Sequence, residues 1–230
     1  MYLAVTDRPA PATSASVLAS APVLSGESFA TMINLSGRRR FTSQRVVLYA
    51  VLAAGNHPQA AGIAAEALRL FTEAHATLIK GGKGVPGVFG VPLQEAYFGS
   101  AKGNEKILAF IALADRVLFA IASGWQRQVP VLLEELMESS SALLAVLNSL
   151  TTIYETEARN HAKQVEQQLH SAMDEIKTIS KQAQVVAMNA RIVAARAGSA
   201  GNEFAVVATE LIAITTDIET ILQTAMAKPG

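Results

Sequence analysis

The sequence predicts an all-α fold: a four-helix bundle whose last long helix continues into an antiparallel coiled-coil hairpin. Three observations predict it. Strand-like alternation is nowhere sustained, and after residue 27 apolar residues recur at three- and four-residue spacing. No proline or glycine occurs between Pro130 and Gly198, so one helix of about 68 residues fits there, roughly 100 Å long at 1.5 Å per residue. Pro130 itself suits a first helical turn.

Composition bounds the rest. Of the 230 residues 50% are hydrophobic and 17% charged, enough for one sizeable core or for a compact domain with an elongated extension. Cysteine is absent, which excludes disulfides, thiolate metal sites and cysteine nucleophiles and fits a reducing, cytoplasmic compartment. The 19 Lys and Arg balance the 19 Asp and Glu, leaving no net field to attract nucleic acid or an anionic membrane. The most apolar stretch, 107–122, is too short to span a bilayer and carries Asp115 and Arg116 in its middle. No membrane span is expected.

Residues 1–26 are rich in Ala, Ser and Pro, and Pro9, Pro11 and Pro22 break any continuous signal-peptide core; they are expected to form a disordered tail. A first helix is expected over 27–55 and ends at Asn56, His57 and Pro58. A second fits 59–80, with Leu68, Phe71, His75 and Leu78 at helical spacing. The segment 81–92 holds five glycines and two prolines and reads as a loop; it lacks the Gly, Lys and Ser/Thr spacing of a phosphate cradle. A short helix is expected over 93–98, then a stronger one over 104–123 capped by Asn104. Trp125, beside Gly124, is expected to cap the bundle core. The last helix covers 202–227.

On the approach to Gly198, Ile176, Ile179, Ala183, Ala187, Ala190, Ala194 and Ala197 form a narrow seam. On the return, Phe204, Ala208, Leu211, Thr215, Ile218, Leu222 and Ala225 keep the same rhythm. Two helices packed across a turn at 198–201 follow, and periodicity alone favours an ordinary αα-hairpin of a bundle.

The residues 187–198, Ala-Met-Asn-Ala-Arg-Ile-Val-Ala-Ala-Arg-Ala-Gly, then Gly201 and 204–210, Phe-Ala-Val-Val-Ala-Thr-Glu, closely resemble the tip of the methyl-accepting chemotaxis protein signalling domain. The resemblance implies a surface that packs receptor dimers into trimers and engages the coupling protein CheW and the histidine kinase CheA. It assigns Asn189, Ile192, Arg196, Phe204 and Val207 to these contacts. The chain departs from the family pattern at several positions. Val193 stands where a glutamate is usual and Arg191 where an alanine is usual, while Ser199, Asn202 and Glu203 replace Glu, Arg and Gly. These changes alter the charge of the tip and imply weakened kinase coupling. With about 26 residues after the turn, a return arm near 39 Å is expected, a shortened signalling hairpin over 151–230 without an adaptation region. Glu134-Glu135 and Gln167-Gln168 look like methyl-acceptor pairs, but such pairs are common on exposed helices.

Within the first helix, residues 33–45, Ile-Asn-Leu-Ser-Gly-Arg-Arg-Arg-Phe-Thr-Ser-Gln-Arg, resemble the opening motif of the type IV pilus methyl-accepting transducer N-terminal, or PilJ-like, domain, which also occurs in nitrate-responsive sensor kinases. The resemblance implies a helical sensor bundle over 27–150 that pairs with a second copy and holds an anion between facing first helices. The residues point the same way. If Phe29, Ile33, Ser36, Arg40, Ser43, Val47, Ala50 and Ala54 form one face, Arg40 lies in an apolar seam between two serines and needs a carboxylate or bound oxyanion. Gly37, one turn earlier, permits close approach. The candidate ligand site is therefore Arg40, Gly37, Ser36 and Ser43. The alternative is that Arg38, Arg39, Arg40 and Arg45 form a solvated or salt-bridged face.

The remaining chemistry is sparse. His57, His75, His161 and His170 show no metal-ligand spacing, and no nucleophile is paired with a base. No metal, cofactor or catalytic residue is expected, and the chain is read as a non-enzyme. The expected function is that of a cytoplasmic, homodimeric chemoreceptor-like transducer that senses a small ligand, with an anion such as nitrate as the candidate, in its N-terminal bundle. The alternative is a non-sensing adaptor that joins or caps chemoreceptor arrays.

Overall fold

A computed structural model describes residues 24–82 and 84–227. Among them the chain forms six α-helices and one 3-10 turn: α1 Gly26–Ala54, α2 Ala60–Lys80, α3 Gly90–Phe98, α4 Gly103–Ala122, α5 Val129–Arg196, the turn Gly198–Gly201, and α6 Asn202–Ala227. The fold is all-α; an isolated bridge between Gly82 and Val85 is the extent of extended pairing among the described residues. Of the expected tail, Leu24 and Ser25 precede α1 and Gly26 opens it; the rest lies outside the described residues. The chain divides into two compact units, Met1–Thr151 and Thr152–Gly230.

In the N-terminal unit, α1 begins where Ser25, in extended geometry, accepts the Ser28 backbone N–H at 3.2 Å, satisfying one of the helix's orphan donors. It stops at Gly55. Leu68, Phe71, His75 and Leu78 of α2 are all buried, as their spacing predicts. Phe71 meets Phe110 of α4 edge to face, with ring centroids 5.6 Å apart, and Met32, Val46, Leu93, Ile107, Leu136 and Leu147 fill the same core. Full burial of each large side chain stabilises by about 1.5–3 kcal/mol.

Three local expectations are corrected. Helix α3 opens at Gly90, so the loop read over 81–92 ends earlier; Pro92 falls within the first turn, where its missing N–H costs nothing. Helix α4 opens at Gly103 after Lys102, so Asn104 is inside the helix and is not its cap. Its side chain is instead bonded to His75. Trp125 does not cap the core: it is 46% exposed and stands edge-on to Phe119, itself 60% exposed.

In the C-terminal unit, α6 folds back along α5. Ser180, Ala187 and Ala194 are buried on α5, and Gly201, Ala208, Thr215 and Leu222 on the turn and α6; successive members on each arm are one heptad apart. Ser180 Oγ donates to the Thr215 carbonyl at 3.0 Å. The expected seam was partly out of phase. Ala187, Ala194, Ala208, Thr215 and Leu222 belong to it, and Ala183 and Ile218 are half-buried. Ile176, Ile179, Ala190, Ala197, Phe204, Leu211 and Ala225 are exposed. Small residues occur on several faces of α5, so alanine spacing did not select one.

Candidate functional site

Two places gather candidate side chains: a polar core beneath the α1 arginines, and the turn end of the α5/α6 pair. The core is built around Arg39, which is fully buried. Arg39 Nη1 lies 3.2 Å from His75 Nδ1, and Nη2 donates to Ser36 Oγ at 3.2 Å. The guanidinium carbon sits 5.8 Å from the Tyr97 ring centroid. His75 Nε2 lies 3.0 Å from Asn104 Oδ1. A guanidinium offers only donors, so His75 Nδ1 accepts, and its proton resides on Nε2 facing Asn104. On the other side, Thr151 Oγ1 is 3.1 Å from Ser36 Oγ and 2.8 Å from the Leu147 carbonyl.

This cluster gathers side chains from α1, α2, α4 and α5 around one desolvated cation. No carboxylate lies within ion-pair distance of Arg39 among the described residues, and its Nε is buried without a hydrogen-bond partner. Burial, and then the Arg39 charge, push the His75 imidazole down to about 4, against the opposing bond from Asn104. His75 is therefore neutral at neutral pH.

The expected site around Arg40 is redistributed. Three consecutive arginines, Arg38, Arg39 and Arg40, step by 100° each around the helix, and Arg39 takes the inward position that the sequence reading gave to Arg40. Arg40 is half-buried and donates from Nη1 to Asn148 Oδ1 at 3.3 Å. Ser36 and Ser43 face the interior; Ser36 serves Arg39, and Ser43 Oγ donates to the Arg40 carbonyl at 2.9 Å. Gly37 and Arg40 instead line a groove of about 850 Å³ between α1 and α5, with Gln44, Arg45, Tyr49 and Asn148. Arg45 lies 5.1 Å from the Tyr49 ring centroid and 5.8 Å from that of Phe41. Gly37 and Arg40 are thus brought together, and the two serines are separated from them.

In the C-terminal unit, Asn189, Ile192 and Arg196 lie on α5 and Phe204 and Val207 on α6, all exposed. Phe204 is 72% and Val207 66% exposed, a condition that solvent alone does not favour for such side chains. Val193, where the receptor pattern has glutamate, is exposed as well. No carboxylate is within ion-pair distance of Arg191 or Arg196 among the described residues.

Residues 134–220 match the methyl-accepting chemotaxis protein signalling domain. The matched span opens at Glu134, inside the N-terminal unit, and runs through the turn into α6. Among curated proteins, the methyl-accepting chemotaxis protein McpS of Pseudomonas putida is 52% identical over 56 residues, 24% of this chain and 9% of that protein. McpK of Pseudomonas aeruginosa is 46% identical over 56 residues, again 24% of this chain and 9% of the relative. The chain thus covers less than a tenth of either relative. No solved structure matches it.

The matched domain is a signalling one. Among the described residues no His, Cys, Asp and Glu group could hold a metal ion, and no helix is long and apolar enough to cross a membrane. Sequence reasoning missed Arg39, Asn104 and Thr151. The signal was present in the spacing of Met32, Ser36, Arg39, Ser43, Val46 and Ala50, which is as helical as the set containing Arg40.

Proposed function

We propose that this chain is a cytoplasmic chemoreceptor-type signal transducer, with a PilJ-like sensor bundle at its N-terminal end and a coiled-coil hairpin tip as its output surface. The observation that carries this reading is the match of residues 134–220 to the signalling domain, together with the exposed apolar side chains beside the turn. The tip would engage CheW-type and CheA-type partners through Asn189, Ile192, Arg196, Phe204 and Val207. A homodimer would cover the apolar residues left outside the α5/α6 seam.

In this reading the input is a small anion held at Arg40 and Gly37. The groove that these residues line and the adjoining Arg45 cation support it. Packed helices favour discrete arrangements over continuous bending, so a ligand that repositions α1 against α5 would change the strain that α5 carries. The test is a kinase assay with CheW and CheA reconstituted with the full chain, with and without nitrate. A nitrate-dependent change in kinase activity that disappears with Phe204→Ser supports the whole reading. Kinase binding without any ligand response favours the array adaptor, and no effect on the kinase under either condition rejects the transducer.

A further inference from the structure

The buried cluster in the N-terminal unit has a chemistry separate from the Arg40 groove. We propose that Arg39 and His75 form a proton-operated latch, in which protonation of His75 sets a second cation against the Arg39 guanidinium and releases α2 from α1. Two features of the geometry carry it. The first is that His75 Nδ1 faces Arg39 Nη1 at 3.2 Å, so a proton on Nδ1 turns an acceptor into a donor facing a donor. The hydrogen bond is lost at the same moment that like charges appear. The second is that no compensating anion faces the imidazole among the described residues. Asn104 of α4 presents a neutral carbonyl oxygen, Tyr97 of α3 an aromatic ring at 6.2 Å, and Thr151 of α5 a hydroxyl that reaches the cluster only through Ser36. Arg39 of α1 is the charged side chain facing the imidazole, and it repels the incoming proton.

The direction with pH follows. The imidazole of His75 is held at about 4 in the closed unit against an ordinary 6.5. A depressed histidine binds its proton more readily once released, so the latch is fully closed above about pH 6.5 and weakens as pH falls toward 4. Within that window each pH unit shifts the balance about tenfold. Between about pH 7 and about pH 5 the closed-to-open ratio should fall roughly 20-fold through this residue alone.

The same cluster ties α1 and α2 to Thr151, so opening it changes what holds α5 within this unit. The proton input is thus independent of any anion at Arg40. Trp125, the sole tryptophan, lies between α4 and α5 and reports on this unit in the full chain. Urea unfolding followed by its fluorescence at about pH 7 and about pH 5 should show the roughly 20-fold loss in the natural chain and in His57→Gln, an exposed control. His75→Gln, whose amide can still accept from Arg39 and donate to Asn104, should lose most of this pH dependence. In parallel, an NMR titration should find His75 neutral down to about pH 5, with its midpoint rising in Arg39→Gln. Equal pH dependence in the natural chain and His75→Gln, or a His75 midpoint near 6.5 with Arg39 present, overturns the latch. If His75→Gln does not fold at neutral pH, the NMR titration of the natural chain and Arg39→Gln decides it.

Discussion

Gly201 lies directly against the backbone of Ala194: a Cβ added to Gly201 would overlap the Ala194 carbonyl oxygen. Gly198, at the other end of the turn, has φ +62° and no atom within 4 Å of an added Cβ. The two glycines therefore serve different purposes, one close approach and the other a left-handed backbone. Asparagine tolerates the left-handed region, so Gly198→Asn should change stability by about 0.5 kcal/mol or less. Gly201→Asn should cost about 1–3 kcal/mol by forcing the arms apart. Thermal unfolding of the helical circular dichroism signal distinguishes them, and equal losses would contradict this division of roles.

The sequence was most legible where backbone chemistry punctuates it. The bounds of α5 and α6 follow from Pro130, Gly198 and Gly201, because proline and glycine act locally. Helix phase was less legible. Around α1, Arg38, Arg39 and Arg40 cover more than half a turn with one residue type, so nothing in the side chains chose the inward member; the partners His75 and Asn104 that hold Arg39 lie on other helices. Asn104 is a good capping residue by type, yet a tertiary bond to a buried imidazole uses it. In α5, alanines on more than one face hid the heptad set of Ser180, Ala187 and Ala194, and the bulky Ile176 and Ile179 drew the seam to the wrong side.

Outside that seam, Val185, Val186, Ile192 and Val193 are all at least 46% exposed. A second copy packing its own α5/α6 pair against them would remove this surface from water. Sedimentation should give a dimer at concentrations on the order of tens of micromolar, where such an interface is populated by mass action. Val186→Glu should shift it toward monomer without lowering helicity, since Val186 is 63% exposed in the single chain. A monomeric natural chain at that concentration would count against the homodimer.

Coupling to CheW and CheA should be weak in the natural chain. The tip keeps Asn189, Ile192, Arg196, Phe204 and Val207 but carries Val193 and Ser199 where the receptor pattern has acids. Val193 is 65% exposed, so a glutamate there pays no burial cost and can approach an arginine of a neighbouring dimer. Val193→Glu combined with Ser199→Glu should raise pulldown of CheW by about tenfold or more, the size of one charge-assisted hydrogen bond at about 1.5 kcal/mol or above. Tight binding by the natural chain with no gain from the pair of substitutions would show that these positions do not set coupling strength.

Arg40 is the proposed anion ligand. Its guanidinium is half-buried, bonded to Asn148, and lines the α1/α5 groove with Gly37. If this groove faces the same groove of a second copy, two Arg40 cations approach and repel. A planar oxyanion between them removes that repulsion and accepts charge-assisted bonds from both. Nitrate should therefore tighten the dimer of the natural chain, by roughly tenfold for one such bond at about 1.5–3 kcal/mol. Arg40→Ala should abolish the nitrate effect while leaving the fold intact, because the core beneath is held by Arg39 and not by Arg40. Arg38→Ala should keep it, since Arg38 is exposed and points about 160° away at 100° per residue. Dimer affinity measured by sedimentation with and without nitrate for all three chains decides the matter, and equal responses in the three would eliminate Arg40 as the anion site.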